Sequence, residues 1–374
     1  MKFLLSVLPG IIFTLLFSAF FIYAGASKIG NPEPEKTINI GFIIPMPADK
    51  DDLSREAVYG AQLAIEEAND KNGFFDIPFK MVIRSADGPW GAGSKRAVSL
   101  VYEDEVSAIV TSLDGRNAHL AEQVITKAQV ALIITRATDP TITKAYVPWV
   151  FRILPNDEQQ AGVLAEEIYQ KRRLKHVLVL TSNIYDSKGG ATAFLKATQA
   201  KNNPSPQQIM FEPGNDMKQL AEKVQNAKTD ALVIFALPHE STMLIKQLDI
   251  RHVNIPVFGS GSLLYDNTLM HELKNTESEV RIVSPGFLQT ESGLVFQTSF
   301  KKKYGFIPGA VAANAYEGMK LMINVIINTG PDRDEIRDYF LHIKNYQGIN
   351  GVINFDDNGN LKTEPRLMNI GIIE

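Results

Sequence analysis

The chain of 374 residues contains no cysteine. Disulfides, thiol nucleophiles, cysteine-ligated zinc and iron–sulfur clusters are therefore excluded, and an apolar core must hold the fold. The sequence also lacks a basic stripe, because the net charge is −4 and both signs are interspersed. Without a basic surface that could neutralise phosphates, nucleic acid is not expected as a partner.

Catalytic and metal-binding patterns are missing as well. The six histidines are scattered, and none has another histidine one helical turn away, as a helical metal site requires. In Gly259-Ser260-Gly261-Ser262 the glycines flank the serine directly, so the segment is not the Gly-x-Ser-x-Gly elbow of a hydrolase. We therefore expect no metal, no cofactor and no catalytic residue, and nothing in these patterns points to an enzyme.

The N-terminus has the features of an export signal. Lys2 precedes a nearly continuous apolar stretch over residues 3–23, and Ala24-Gly25-Ala26 places small residues where a signal peptidase cleaves. We expect residues 1–26 to be a signal peptide that is cleaved after Ala26, and the mature protein to be periplasmic. A retained anchor is the alternative, because an apolar stretch of roughly 20 residues can span a bilayer.

Two runs of alternating strand and helix patterns follow, and they share one spacing. Strands separated by helices predict parallel sheets with right-handed crossovers. The predicted fold class is α/β, with two Rossmann-like lobes. The apolar strand candidates of the two runs begin near Ile38, Lys80, Ser107, Ala131, His176, Gln208, Ala231 and Pro256.

The C-terminal part follows a different pattern. A helical pattern covers residues 310–328, and its alanines and Gly318 would allow close packing. Two apolar runs, 352–355 and 367–373, flank the turn Asp356-Asp357-Asn358-Gly359. Apolar runs around such a turn predict a β-hairpin in the tail.

Candidate binding residues lie in four loops that follow predicted strands: 112–117, 135–140, 183–190 and 259–262. In open α/β sheets, ligands bind beyond the carboxyl ends of the strands. Thr138 precedes a predicted helix start, where free amides and a hydroxyl can hold an anion. The alternative is that Thr138-Asp139-Pro140 forms only a turn and a cap. The third loop leads into a helix predicted to begin at Lys188.

Several segments share their order and spacing with those of a known protein family. They are Gly60-Ala61 with residues 63–69, then 137–140, Phe151-Arg152, Asp157, Gln160, Tyr185, Gly189 and 355–359. Together they resemble the leucine/isoleucine/valine-binding family of type I periplasmic binding proteins, over nearly everything after residue 36. The resemblance implies two lobes, 37–153 plus 286–348 and 154–285 plus 349–374. They would be joined by three crossovers, close on a solute and deliver it to an ABC permease.

The resemblance also implies a ligand site, which this chain keeps only in part. The family's carboxylate-binding serine corresponds to Gly115, and its next small residue corresponds to Arg136. The second-lobe aromatic is kept as Tyr185, a further aromatic corresponds to Leu237, and the acid that receives the ligand ammonium corresponds to Gly261. The implied ligand-binding residues are Gly115, Arg116, Asn117, Arg136, Ala137, Thr138, Tyr185, Leu237 and Gly261.

These replacements change the expected ligand. A buried ammonium without a counter-charge is costly, and Gly261 offers none. Arg116 and Arg136 can each grip a carboxylate with two parallel hydrogen bonds. Our hypothesis is an anionic or neutral small molecule, such as an organic or aromatic acid, rather than a zwitterionic amino acid. The alternative is that both arginines point to solvent or across the mouth of the cleft.

The expected partners are a small-molecule ligand and the permease subunits of an ABC transporter. The protein is expected to be a monomer that meets the membrane only through its signal peptide or its partner. Two alternatives remain open at this stage. One is a ligand-sensing module that signals to a membrane receptor, and the other is an exported α/β enzyme.

Overall fold

The computed structural model describes residues 36–88, 91–144, 147–273 and 276–370. The predicted signal peptide and its cleavage site after Ala26 lie outside the described residues. The described residues from Ile38 onward belong to one compact unit. Among the helices of the described ranges, none combines the length and apolar character needed to cross a membrane.

The first sheet is built from the first run of strand patterns. Its described strands are β1 (Ile38–Ile44), β2 (Phe79–Ser85), β3 (Ala108–Thr111), β4 (Ala131–Ile134) and β5 (Val150–Arg152). They are all parallel, in the order β2-β1-β3-β4-β5. The residues of β3 and β4 are buried throughout, because helices cover both faces of a parallel sheet.

The second sheet takes up the second run and one strand from the tail. The remaining described strands are β6 (Val177–Ser182), β7 (Gln207–Phe211), β8 (Ala231–Phe235), β9 (Val257–Gly259), β10 (Val280–Val283), β11 (Tyr346–Gln347), β12 (Val352–Ile353) and β13 (Leu367–Asn369). The order in the second sheet is β13-β10-β9-β8-β6-β7, with every neighbour parallel except β13.

Helices connect these strands and cover the sheets. The segment Glu166–Lys171 continues the helix Asp157–Ala165 as a π-helix, and Pro140–Thr143 and Gly261–Leu264 are short 3₁₀ helices. The α-helices of the described ranges are α1 (Asp52–Asn69), α2 (Ala92–Tyr102), α3 (Gly115–Ala128), α4 (Asp157–Ala165), α5 (Tyr185–Ala200), α6 (Met217–Asn226), α7 (Pro238–Ile250), α8 (Thr268–Glu272), α9 (Glu291–Tyr304), α10 (Ala310–Thr329) and α11 (Arg333–His342).

The chain passes between the two sheets more than once. It leaves the first sheet after β5 and builds the second sheet through β10. It then returns to the first sheet, where α10 packs against α1 and β3 and Phe340 of α11 stacks on Phe151 of β5. Finally it crosses again, and β13 adds to β10. The predicted fold class, α/β with two parallel-sheet halves, is confirmed.

Two local predictions were wrong. The tail does not form the predicted hairpin, because β12 pairs with β11 while β13 pairs with β10. The open edge of β10 offers β13 a longer ladder, and only a Phe355–Leu361 bridge flanks the predicted turn. Helix α5 begins at Tyr185 rather than at Lys188, since Ile184 already serves as its extended N-cap residue.

Candidate functional site

A cleft of about 300 Å³ lies where the carboxyl ends of strands from both sheets meet. From the first half, the loops after β3 and β4 contribute side chains, and from the second half the start of α5 and the loops after β8 and β9 do so. This is the position expected for a ligand site in open α/β sheets. The lining residues include Asp114, Arg116, Asn117, Arg136, Thr138, Asp157, Gln160, Tyr185, Asp186, Phe235, Leu237, Ser260, Ser262 and Tyr265.

The start of α3 forms one wall of the cleft. Asp114 is the N-cap: its Oδ1 accepts from the Asn117 amide at 3.0 Å, and its Oδ2 accepts from Asn117 Nδ2 at 2.8 Å. Arg116 is exposed, and its guanidinium carbon lies 5.5 Å from the ring centroid of Tyr185. Arg116 therefore stacks across the mouth of the cleft on an aromatic ring of the other half.

Arg136 lies deeper, after β4. Its guanidinium carbon is 5.5 Å from the ring centroid of Tyr265, whose hydroxyl donates to the Arg136 carbonyl at 2.7 Å. Arg136 Nε is buried and finds no hydrogen-bond partner among the described residues. A half-buried guanidinium with a spare donor is suited to an acceptor such as a carboxylate.

Two carboxylates also face the cleft. Asp157 is only 5 % exposed, and its burial, together with the charge of nearby Asp186, raises its pKa to about 7 against the hydrogen bond from Thr138. Burial likewise raises the pKa of Asp186, although the Gly115 amide and the charge of Arg136 oppose this shift. The cleft therefore holds acids beside its arginines, and its walls are not simply cationic.

Asp139 organises the turn that Thr138 precedes. Its Oδ1 accepts from the amide of Thr141 at 2.9 Å, so Asp139 caps the short helix. This amide is therefore already hydrogen-bonded within the chain and is not free to bind a ligand. Partial burial acts to raise the pKa of Asp139, but hydrogen bonds from His119, Thr141 and Tyr185 hold it well below its usual range. Thr138 itself lines the cleft and is 7 % exposed.

The other predicted site residues have different surroundings. Leu237 lines the cleft, whereas Ala137 is fully buried and is not among the lining residues. The Gly115 amide donates to Asp186 Oδ1 at 2.9 Å, and the Gly261 amide donates to Gln160 Oε1 at 2.9 Å. Both amides therefore already hold partners from within the chain.

The crossings between the halves lie directly behind the cleft. Arg152, at the end of β5, is completely buried, and its Nη2 donates to the Asp139 carbonyl at 2.6 Å. Burial lowers the pKa of Arg152 to about 10, against the attraction of Asp157 and Asp139. At the next two crossings, Phe287 N donates to Asn350 Oδ1 at 3.1 Å. The first crossing thus contacts the loop that carries Thr138 and Asp139, and the other two crossings contact each other.

Sequence reasoning missed the role of Asp186 and Tyr265. Asp186 lies in the candidate loop 183–190, but it was not named as a site residue, because Tyr185 was the side chain of this loop that matched a binding residue of the family. A helix beginning at Tyr185 would have placed Tyr185 and Asp186 together in a first turn at the cleft. Nothing in the local pattern around Tyr265 distinguishes it from a core aromatic.

Two α/β halves, repeated chain crossings between them and a polar cleft at their strand ends define a bilobed solute-binding protein. The chain belongs to the periplasmic binding protein family, whose model matches residues 37–370. Membership of this family implies that the chain is exported to the periplasm.

Two curated relatives are named as Leu/Ile/Val-binding proteins. The Leu/Ile/Val-binding protein BraC3 of Rhizobium johnstonii is 26% identical over 243 residues, which cover 64% of this chain and 65% of that protein. A Leu/Ile/Val-binding protein homolog of Brucella melitensis is 25% identical over 231 residues, which cover 60% of this chain and 61% of that protein. The chain therefore spans just under two thirds of the length of these relatives.

Solved structures show the same fold. The branched-chain amino acid transporter substrate binding protein LivJ of Streptococcus pneumoniae, in complex with isoleucine, superposes with a TM-score of 0.78 at 23% identity, covering 91% of this chain and 98% of that one. A solute binding protein of Rhodopseudomonas palustris, in complex with 3,4-dihydroxybenzoic acid, has a TM-score of 0.77 at 20% identity, covering 89% and 93%.

Proposed function

We propose that the protein captures a small carboxylate or amino-acid-like compound in its cleft and delivers it to an ABC permease. The observation that carries this proposal is the cleft itself. Half-buried Arg136, with a spare donor, lines a space of about 300 Å³ together with Tyr185 and Leu237 of the other half. The lining offers polar anchors without a metal-ligating cluster among the described residues. Family membership and the names of the relatives support a binding role without catalysis.

The proposed mechanism is closure of two lobes around the ligand. We assign residues 37–153 plus 286–348 to the first lobe and 154–285 plus 349–374 to the second. A ligand that contacts both lobes stabilises the closed form and shifts an open–closed equilibrium. The first lobe would receive the ligand, and Tyr185 would close over it. The permease would then recognise the closed form.

The ligand class follows from the charged groups. Isoleucine and 3,4-dihydroxybenzoic acid, bound by two structural neighbours, both carry a carboxylate. Arg136 can hold such a group, whereas Gly261 has no side chain to receive an ammonium. The two acids of the cleft are weaker counter-charges, because burial raises the pKa of Asp157 to about 7 and Asp186 already accepts from the Gly115 amide. We therefore favour an organic or aromatic acid over a simple zwitterionic amino acid.

Two measurements test this function. Mass spectrometry of the chain purified from Ser27 onward should recover a small acid that co-purifies unchanged, since an enzyme would convert it. Calorimetric titration with benzoate, 3,4-dihydroxybenzoate, isoleucine and leucine should show micromolar binding of at least one aromatic acid. Micromolar binding of leucine would overturn the preference for an acid without an ammonium.

A sensing role is the second candidate, and one relative favours it. Glutamate receptor 3.7 of Arabidopsis thaliana is 22% identical over 214 residues, which cover 57% of this chain and 23% of the receptor. Both roles use the same closure. Stimulation of permease ATPase activity by the ligand-loaded protein in reconstituted vesicles would support transport. If the loaded protein does not stimulate the permease but binds a membrane receptor, this result would support sensing.

A further inference from the structure

The first two residues of α5 reach across the cleft and bond to the first half. Asp186 Oδ1 accepts from the Gly115 amide at 2.9 Å, and the Tyr185 hydroxyl donates to Asp139 Oδ2 at 2.8 Å. Gly115 is the first residue of α3, and Asp139 lies in the loop after β4, so both partners belong to the first half. These hydrogen bonds join the two halves through the chain's own groups.

The Asp186 carboxylate takes the place that a ligand carboxylate would prefer. The Gly115 amide opens α3, where unpaired N–H groups and the helix dipole favour an anion. The charge of Arg136 acts on Asp186 in the same direction. An amide, a guanidinium and a carboxylate are thus already assembled, with the carboxylate supplied by the second half.

Glycine at position 115 is what admits this carboxylate. A Cβ atom there would lie 2.8 Å from Asp186 Oδ1 and 3.0 Å from Tyr185 Cε1. Real Cβ atoms essentially never approach other atoms as closely as 2.8 Å. Gly115 and Asp186 therefore form a matched pair, in which one residue leaves the space that the other fills.

We propose that Asp186 determines ligand specificity as a built-in competitor, which occupies the Gly115 amide and the field of Arg136 until an anionic ligand displaces it. The contact stabilises a closed arrangement of the two halves by itself. An anion binds only when the halves have separated and Asp186 has left, so the apparent affinity for anions is reduced by the fraction of molecules that are closed in this way. The ligand class rests on the proposed function, whereas the contact does not.

The contact can be tested without any ligand, because a chain that lacks cysteine can be spin-labelled at two introduced cysteines. Lys127→Cys on α3 and Gln199→Cys on α5 are exposed positions in the two halves. In this background, Asp186→Ala should raise the ratio of open to closed molecules by roughly tenfold, seen as a shift of the distance distribution to longer values. Glu291→Ala, an exposed acid in the first turn of α9, is the matched control and should leave the distribution unchanged.

Gly115→Ala is the second variant, because its methyl group should expel Asp186 without removing any charge. Opening in both variants supports the proposal. Distributions that match the parent in Asp186→Ala overturn it, whether or not Gly115→Ala folds.

Titration with 3,4-dihydroxybenzoate, benzoate and leucine then tests the competition. Asp186→Ala should bind an anionic probe roughly threefold to tenfold more tightly than the parent. Weaker binding of leucine or of an acid in Asp186→Ala would mean that Asp186 is a counter-charge for the ligand, and would overturn the competitor role. If no probe binds either variant, the proposed ligand class fails, while the distance measurement still decides the contact.

Discussion

The phenol of Tyr185 donates a hydrogen bond of 2.8 Å to the carboxylate of Asp139, which belongs to the other half of the molecule. The carbonyl of Asp139 in turn accepts from Arg152 at 2.6 Å, at the first crossing between the halves. Asp139 thus connects the mouth of the cleft to the segment about which the halves would move. A shift of this loop on ligand binding would therefore change the contacts both at the mouth of the cleft and at the first crossing.

Asp139→Asn should destabilise the protein at pH 7 by on the order of 1–2 kcal/mol, because it removes the charge from a group with several donors. The folded-state pKa of Asp139 lies below its usual 3.8, so its stabilising contribution is present above that pH and is lost as the pH falls further. Urea unfolding should therefore show the deficit at pH 7 and a smaller one below about 3.8. The exposed control, Asp49→Asn, should change little, and a deficit that does not depend on pH would contradict the assignment.

Arg136→Gln should weaken binding of the carboxylate ligand by roughly tenfold to a hundredfold, since a half-buried guanidinium is lost. Arg136→Lys should restore only part of the affinity, because lysine cannot reproduce the planar stack on Tyr265. Arg116→Gln should have a smaller effect, as Arg116 is exposed and solvent screens its charge. Calorimetry with the compound identified by mass spectrometry measures all three, with exposed Arg173→Gln as control. Equal losses in the Arg116 and Arg136 variants would contradict this order.

Gly286→Ala should be strongly destabilising, by about 3 kcal/mol or more. Gly286 has φ +82°, and a Cβ atom there would lie 2.2 Å from the carbonyl oxygen of Asn350 at the neighbouring crossing. Gly305 ends α9 with a similar φ of +86°, but no atom lies within 4 Å of its Cβ position. Gly305→Ala should therefore cost only about 1 kcal/mol. Urea unfolding of both variants gives their free energies of unfolding, and the difference between them is the contribution of the steric clash at Gly286. Equal losses of stability in the two variants would show that the crossings do not constrain Gly286.

Glu317→Gln should make stability less dependent on pH. Glu317 is fully buried on α10, where its carboxylate accepts from the amides of Ile349 and Asn350. Burial raises its pKa from 4.5 to about 7, against the hydrogen bonds from these amides. Because the folded-state pKa is the higher one, its contribution to stability is fully present below pH 4.5 and is lost as the pH rises through about 7.

The variant should therefore be more stable than the parent at pH 8, by on the order of 1–3 kcal/mol. Urea unfolding between pH 4.5 and pH 8 measures the difference. Glu56 and Asp157 also have raised pKa values, so the pH dependence should become shallower without disappearing. Exposed Glu335→Gln serves as control, and an unchanged slope in the Glu317 variant would contradict the prediction.

The fold could be predicted to a large extent from sequence because its signals are local. The continuous apolar run of β1 and the amphipathic pattern of α6 each follow from the residues within that element. The strand of the tail could not be assigned in this way. The local pattern predicted that β12 and β13 pair with each other across a turn. Instead, β13 pairs with the edge of β10, which lies far away in sequence, and β12 pairs with β11.

The candidate site was predicted less completely. Thr138, Arg136 and Tyr185 were expected at the ends of predicted strands, where an α/β sheet places its ligand. Asp186 lies in the candidate loop 183–190 but was not named as a site residue, and an error of three residues in the predicted start of α5 left its position at a helix terminus unrecognised. Helix ends are the least certain part of any pattern, since their capping residues compete over only a few positions.

The amino-acid sequence by itself determined that this protein consists of two α/β halves stabilised without disulfides, because apolar periodicity and composition act over short stretches of chain. Only the tertiary structure decided that Asp186 bonds to Gly115, which is 71 residues away, and that Arg136 stacks on Tyr265. Contacts across a cleft depend on how two separately folded sheets are positioned against each other. That position is set by the packing of the crossings at Arg152, Gly286 and Asn350, and no local pattern encodes it.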